Sequence, residues 1–179
     1  MRLGLGLPAA IVLAWIGAPA SAQSTNPYAR AWAAAVRADP NAGICENKSG
    51  EEAIAGCTAA IQSGKLSGKA LGIVFYGRGF EHQRREDWAR AIADYSEAIR
   101  LNPEILGPFF NRGTIYLQQA DYGRAIADFS EAIRLNPREA AAFEKRGRAR
   151  RMIGKAAEGD ADFAQACKLD SEYCETGSR

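Results

Sequence analysis

Arg90–Pro103 reads RAIADYSEAIRLNP, and Arg124–Pro137 reads RAIADFSEAIRLNP. The two differ only in Tyr95 against Phe129, and the step from Arg90 to Arg124 sets the length of the repeating unit. A unit this short cannot bury its own apolar face, so neighbouring units must stack on it. The repetition therefore predicts an extended array and gives no hint of an enzyme.

Outward from the duplicated stretch, the helix signals fall in pairs. A helix is expected over 68–85, with Asp87 capping the next, which runs to Leu101 before Asn102-Pro103 stops it. The cycle returns with a helix over 105–119, a turn at Ala120-Asp121, a helix to Leu135 and a stop at Asn136-Pro137. A third cycle takes 139–152, a break at Gly154, and 156–169. Two antiparallel helices per unit, joined by short turns, form a helical hairpin repeat.

Each hairpin carries large, small, aromatic, small, aromatic, small and proline residues at fixed places. The first has Phe75, Gly79, His82, Ala91, Tyr95, Ala98 and Pro103; the second has Phe109, Gly113, Tyr116, Ala125, Phe129, Ala132 and Pro137. The third has Phe143, Gly147, Arg150, Gly159, Phe163, Ala166 and Ser171, departing from the pattern at three places. This pattern resembles the tetratricopeptide repeat (TPR) family. The resemblance implies an all-α, right-handed superhelical solenoid of antiparallel helix-turn-helix repeats, with repeats at 72–105, 106–139 and a divergent terminal one at 140–172. The small residues let helices approach closely, and the aromatic ones fill the remaining volume.

Upstream, EEAIAGCTAAIQSG copies the repeat in degraded form, with Ala53, Cys57 and Ala60 standing for Ala91, Tyr95 and Ala98. Ser49-Gly50-Glu51-Glu52 reads as a capping box opening this helix. Residues 49–71 are thus expected to hold a partial hairpin and linker, and 23–48 a segment with a short helix ended by Asp39-Pro40. Gly56–Ile61 (GCTAAI), behind a Cys pair, is similar to exported bacterial members of the family.

The first 22 residues have Arg2, an apolar run over 3–16 and Ala20-Ser21-Ala22, the pattern of a secretory leader cut after Ala22. The run is shorter than the ~20 residues that span a bilayer, which weighs against the competing reading of a retained anchor. The expected destination is the periplasm or the exterior, with no membrane insertion after cleavage. Among 179 residues, 23 are basic and 21 acidic, a net charge of +2. That balance argues against a nucleic-acid footprint, and no nucleic-acid partner is expected.

Four cysteines fall as one pair near each end of the expected mature chain. Three pairings are possible; the spacing and an oxidising compartment favour Cys45 with Cys57 and Cys167 with Cys174. No CxxC motif, phosphate loop, nucleophile elbow or HExxH motif is present. His82, the single histidine, stands where the next repeat has Tyr116, so it reads as a packing residue and leaves a hydrolase as a distant third reading. No catalytic, cofactor-binding or metal-ligating residue is assigned. Asp94, Glu97, Asp128 and Glu131 read as a solvated outer face paired with Arg90, Arg100, Arg124 and Arg134.

In the family, the inner face of each first helix lines a concave groove. The resemblance places Ile73, Tyr76, Gly77, Phe80, Gln83 and Arg84 there, then Gly107, Phe110, Asn111, Thr114, Leu117 and Gln118, then Ala141, Glu144, Lys145, Arg148, Arg151 and Met152. The candidate binding residues are Tyr76, Phe80, Arg84, Phe110, Asn111, Thr114, Gln118, Lys145, Arg148 and Arg151, grading from aromatic to basic. They imply a protein or peptide partner, with its apolar side chains on Tyr76, Phe80 and Phe110 and an acidic group near Lys145, Arg148 and Arg151. Some members clamp a terminal carboxylate with Lys and Asn; Asn111 and Lys145 superficially match, and the rest of the clamp does not.

The function so implied is a non-catalytic scaffold or adaptor; the alternative is an accessory subunit whose activity resides in its partner. Only DSEYCETGSR follows Leu169, so a bridged tail carrying Tyr173, or a second copy forming a homodimer through the C-terminal repeat, is expected to cover the last hairpin.

Overall fold

The computed structural model describes residues 26–174; the expected leader and the last five residues lie outside them. The described residues form nine α-helices: α1 (Pro27–Ala38), α2 (Pro40–Asn47), α3 (Gly50–Gln62), α4 (Gly68–Arg84), α5 (Trp88–Leu101), α6 (Leu106–Gln118), α7 (Tyr122–Leu135), α8 (Ala140–Met152) and α9 (Ala156–Leu169). A 3-10 turn, Ser171–Tyr173, follows. No strand occurs among these residues. The helices α4/α5, α6/α7 and α8/α9 are the three full hairpins, stacked in order as a right-handed solenoid behind the shorter α2/α3 hairpin.

The duplicated stretches are α5 and α7, and their ends are set as the residues require. Asp87 and Asp121 accept from the amides of Arg90 and Arg124 at 3.3 and 3.1 Å, satisfying a free donor of each first turn. The turns before them share one backbone conformation. Glu86 (φ 60°), Ala120 (φ 58°) and Gly154 (φ 81°) occupy the same left-handed position in successive repeats. Only the third repeat fills it with the residue that adopts it freely.

Packing follows the small-residue pattern. Tyr95 and Phe129 are fully buried, each worth about 2–3 kcal/mol of burial. A Cβ on Gly79 would lie 2.9 Å from the Tyr95 ring, and one on Gly113 would lie 3.1 Å from the Asp128 Cβ and 3.2 Å from the Phe129 ring. In the third hairpin Gly147 and Gly159 face each other: a Cβ on either would meet the other's carbonyl oxygen at 3.0 and 2.8 Å. Where the pattern loses its alanine, the helices use the space to approach more closely.

Three expectations are corrected. Asp94 and Asp128 are not on a solvated face: both are 5 % exposed, and their partners are Arg78 and Arg112 from the first helices. Each arginine forms two hydrogen bonds of 2.8–2.9 Å to its aspartate, and Arg146 repeats this with Asp162 at 2.8 and 3.0 Å. The outward pairs Glu97–Arg100 and Glu131–Arg134 form as expected.

Ile73, expected on the groove wall, is fully buried in the first core cluster. Ser49 stands at the start of α3 but makes no side-chain cap, and Glu52 pairs with Lys48 instead. The first-turn amide of Gly50 (φ 64°) donates to Glu81 of α4 at 2.8 Å, so a tertiary carboxylate replaces the local box.

Both local disulfides are present. Cys45 in α2 and Cys57 in α3 are bridged across facing helices with a Cα–Cα distance of 4.7 Å; Cys167 and Cys174 are bridged at 4.4 Å. The second bridge holds the 3-10 turn against α9 and brings it to α8. No described helix is long and apolar enough to cross a membrane.

Candidate functional site: a concave groove in two halves

Asp39 ends α1 and starts α2, its side chain accepting from the Asn41 amide at 2.8 Å. That junction folds α1 back over the inner face of α4. The sequence leaves the seating of this helix open, and its position alters the groove. Trp32, 3 % exposed, lies over Gly77, where a Cβ would stand 3.0 Å from the indole ring. Tyr28 meets Tyr76 edge-on with ring centroids 5.7 Å apart. The aromatic end of the groove is thus occupied by the chain itself.

Tyr76 is held from below as well. Its ring packs on Tyr95, and the Asn111 amide donates to both tyrosine hydroxyls at 3.4 Å. Burial pushes the Tyr76 phenol up to about 12, so it stays protonated throughout the physiological range. The Tyr95 hydroxyl donates to Gln83 at 2.6 Å, and burial raises its pKa too. Tyr76, Asn111, Gln83 and Tyr95 form a linked polar cluster, of which Tyr76 touches Tyr28 of α1. Phe80 remains exposed, and with Arg84 it borders a cavity of about 340 Å³ beside Tyr28 and Trp32.

The other half is open. Thr114, Gln118, Lys145, Arg148 and Arg151 come together around a cavity of about 930 Å³. Leu117 and Met152, read from the sequence as inner-face residues, supply apolar wall; Tyr122, Phe163 and Glu172 also line it and were not foreseen. Phe163 and Tyr122 belong to second helices, and Glu172 arrives with the bridged tail, so no first-helix pattern contains them. Phe110 joins the two halves, packed on Phe129 with the Lys145 ammonium 5.9 Å from its ring.

The three cations differ in freedom. Arg151 binds Asp160 at 2.6 Å and lies over the Phe163 ring. Arg148 has Glu144 at 3.6 Å, a single loose contact, and its side chain is 60 % exposed. Lys145 makes no ion pair among the described residues.

His82 is 7 % exposed, on the opposite side of α4, with Nε2 3.9 Å from Asp94. Burial lowers its pKa below 6.5, while Asp94 pulls it the other way. It occupies the place of Tyr116 and Arg150, and like Arg150 it faces the repeat's buried aspartate. No cluster of metal-ligating side chains occurs among the described residues.

Comparison with known proteins agrees with this architecture. Family models described as tetratricopeptide repeat match residues 73–105 and 108–139. No match was found among curated proteins. Among solved structures, the chain is similar to the second TPR of Spaghetti (RPAP3) bound to the HSP90 peptide SRMEEVD. That likeness has 30 % identity over 62 % of this chain and 98 % of that one, with a TM-score of 0.55. The second TPR domain of human RPAP3, solved in complex with the HSP70 peptide SGPTIEEVD, is 28 % identical over 58 % and 89 %, with a TM-score of 0.55. The MamA protein shares the fold at 19 % identity over 82 % of each chain, with a TM-score of 0.64. With both matched repeats falling on observed hairpins of a stacked helical array, the chain belongs to the tetratricopeptide repeat family.

Proposed function

We propose that the chain is a non-catalytic binding module that takes a protein or peptide segment in its concave groove. The observation that carries this reading is the open cavity that presents the exposed Arg148 and the half-buried Lys145 beside apolar wall from Leu117, Met152 and Phe163. The two solved relatives near 30 % identity hold acidic peptides, which suits that charge. Exported location is part of the proposal. Its support is the leader-like first 22 residues and the pairing of all four cysteines. The alternative of an accessory subunit uses the same surface with an enzyme or assembly factor as partner.

The test is fluorescence anisotropy of a labelled acidic peptide, SRMEEVD, against the chain and the Phe110→Ala/Arg148→Glu variant. The variant should weaken binding about tenfold or more, as loss of an anchor and of a charge contact does. Unchanged affinity would move the site elsewhere.

A further inference from the structure

We propose that the open half of the groove receives an anionic amphipathic α-helix of a partner protein, laid along the concave face as α1 is laid along the other half. This rests on the groove reading above and adds the conformation and charge of what it binds.

The first support is α1 itself. It is a 12-residue helix seated on the inner places of α4, with Ala31, Trp32 and Ala35 turned into the protein and Arg30 and Arg37 at its outer side. The concave surface of this chain therefore already accommodates a helix. The corresponding places of the next two repeats, Phe110, Asn111 and Thr114, then Glu144, Lys145 and Arg148, are covered by no described helix.

The second support is hydrogen bonding. An extended segment buried in a groove must find partners for its backbone N–H and C=O groups, because an unpaired one costs as much as a lost hydrogen bond. Of the uncharged polar side chains there, Asn111 and Thr114 are already engaged, and the exposed Gln118 is the one amide left, too few for a run of backbone groups. Asn111 donates to the hydroxyls of Tyr76 and Tyr95, and Thr114 Oγ1 donates to the Phe110 carbonyl at 2.9 Å. A helix pairs its own backbone and asks the groove only for side-chain contacts. Leu117, Tyr122, Met152 and Phe163 offer those, and Met152 is 62 % exposed with nothing described over it.

The third support is charge. Lys145 lacks an ion pair among the described residues, and Arg148 has one loose contact at 3.6 Å. Glu144 and Glu172 also line the cavity, Glu144 facing Arg148 and Glu172 borne on the tail. A helix with carboxylates on one flank would take the two cations and leave its apolar stripe on the wall, the helix-in-groove mode.

The experiment uses three fluorescein-labelled probes on the full chain. One is a 16-residue Glu-rich peptide with Leu and Met at i, i+3, i+4 and i+7; the second has the same residues with two central prolines; the third is SRMEEVD. The helical probe should bind, gain ellipticity at 222 nm on binding, and lose affinity about tenfold or more with the prolines and with Lys145→Glu or Arg148→Glu. Arg148 is exposed and Lys145 half-buried, so unchanged melting curves serve as the folding control for each substitution. Equal binding of the proline probe, or binding of SRMEEVD alone, overturns the helical mode while leaving the groove reading standing. Helix binding insensitive to both charge reversals overturns the location, and failure of all three probes overturns the groove reading along with it.

Discussion

The Arg112 guanidinium forks onto the Asp128 carboxylate, with Nε to Oδ2 at 2.9 Å and Nη2 to Oδ1 at 2.8 Å, and its remaining Nη1 donates to Ser96 of the preceding repeat at 2.8 Å. One side chain thus joins the two helices of its own hairpin and the second helix of the hairpin before. Arg146 does the same with Asp162 and Ser130, and Arg78 with Asp94 and Thr58. A planar fork with a third donor to spare fits this junction, and lysine would not.

Asp128→Ala leaves Arg112 largely buried without its anion and is expected to cost about 2–3 kcal/mol, discounted for the 19 % exposure of the Arg112 side chain. The double variant Arg112→Met/Asp128→Ala should recover part of that loss. Chemical denaturation of the four members of the cycle measures it; additive losses would show that the two residues are not coupled.

Gly113→Leu and Ala125→Leu each insert volume where none exists, since even a Cβ at Gly113 lies 3.1 Å from Asp128 and Ala125 is fully buried. Each should lower stability by about 1–3 kcal/mol. Thermal melts at the wild-type temperature in both would count against the stacking described.

The bridge between Cys45 and Cys57, at a sequence separation of 12, ties α2 to α3 beneath the groove-covering α1. Reduction, or Cys45→Ser/Cys57→Ser, is expected to cost about 2–3 kcal/mol. Hydrogen exchange should then rise first in α1 and α2. Uniform exchange across the array would show that the N-terminal cap does not depend on this bridge.

The sequence makes the frame of this molecule readable because periodicity survives in it: helix limits, caps at Asp87 and Asp121, and stops at Asn102 and Asn136 all lie where the repeat puts them. The buried ion pairs follow the same period, with Arg78, Arg112 and Arg146 set against Asp94, Asp128 and Asp162 at equivalent places of successive repeats. Their burial is not legible in the sequence because a charge on an amphipathic helix ordinarily faces water. The seating of α1 was not legible for a different reason: Tyr28 and Trp32 mark an apolar stripe, but their partners Tyr76 and Gly77 lie three helices further along the chain and outside any repeat relation. The open half of the groove is legible in its first-helix residues and not in Tyr122, Phe163 and Glu172, which reach it from second helices and the bridged tail.

His82 gives the pH dependence a definite sign. Its folded pKa lies below the ordinary 6.5, so between the two values the unfolded chain binds more protons and stability rises with pH. The contribution is complete above pH 6.5 and is lost as pH falls below it toward the folded value. His82→Gln should flatten the stability profile just below pH 6.5; a profile with the same slope in the variant would assign the dependence to other groups.

The proposed binding of anionic segments in the open half of the groove can be tested residue by residue, by mapping amide chemical-shift changes in the labelled protein as an acidic peptide is titrated in. Shifts should concentrate at Thr114, Leu117, Gln118, Lys145 and Arg148, with α5 and α7 silent around Glu97 and Glu131. Shifts centred on that outer face, or confined to Phe80 and Arg84 beside α1, would put the partner on another surface and overturn the assignment of the open half as the binding site.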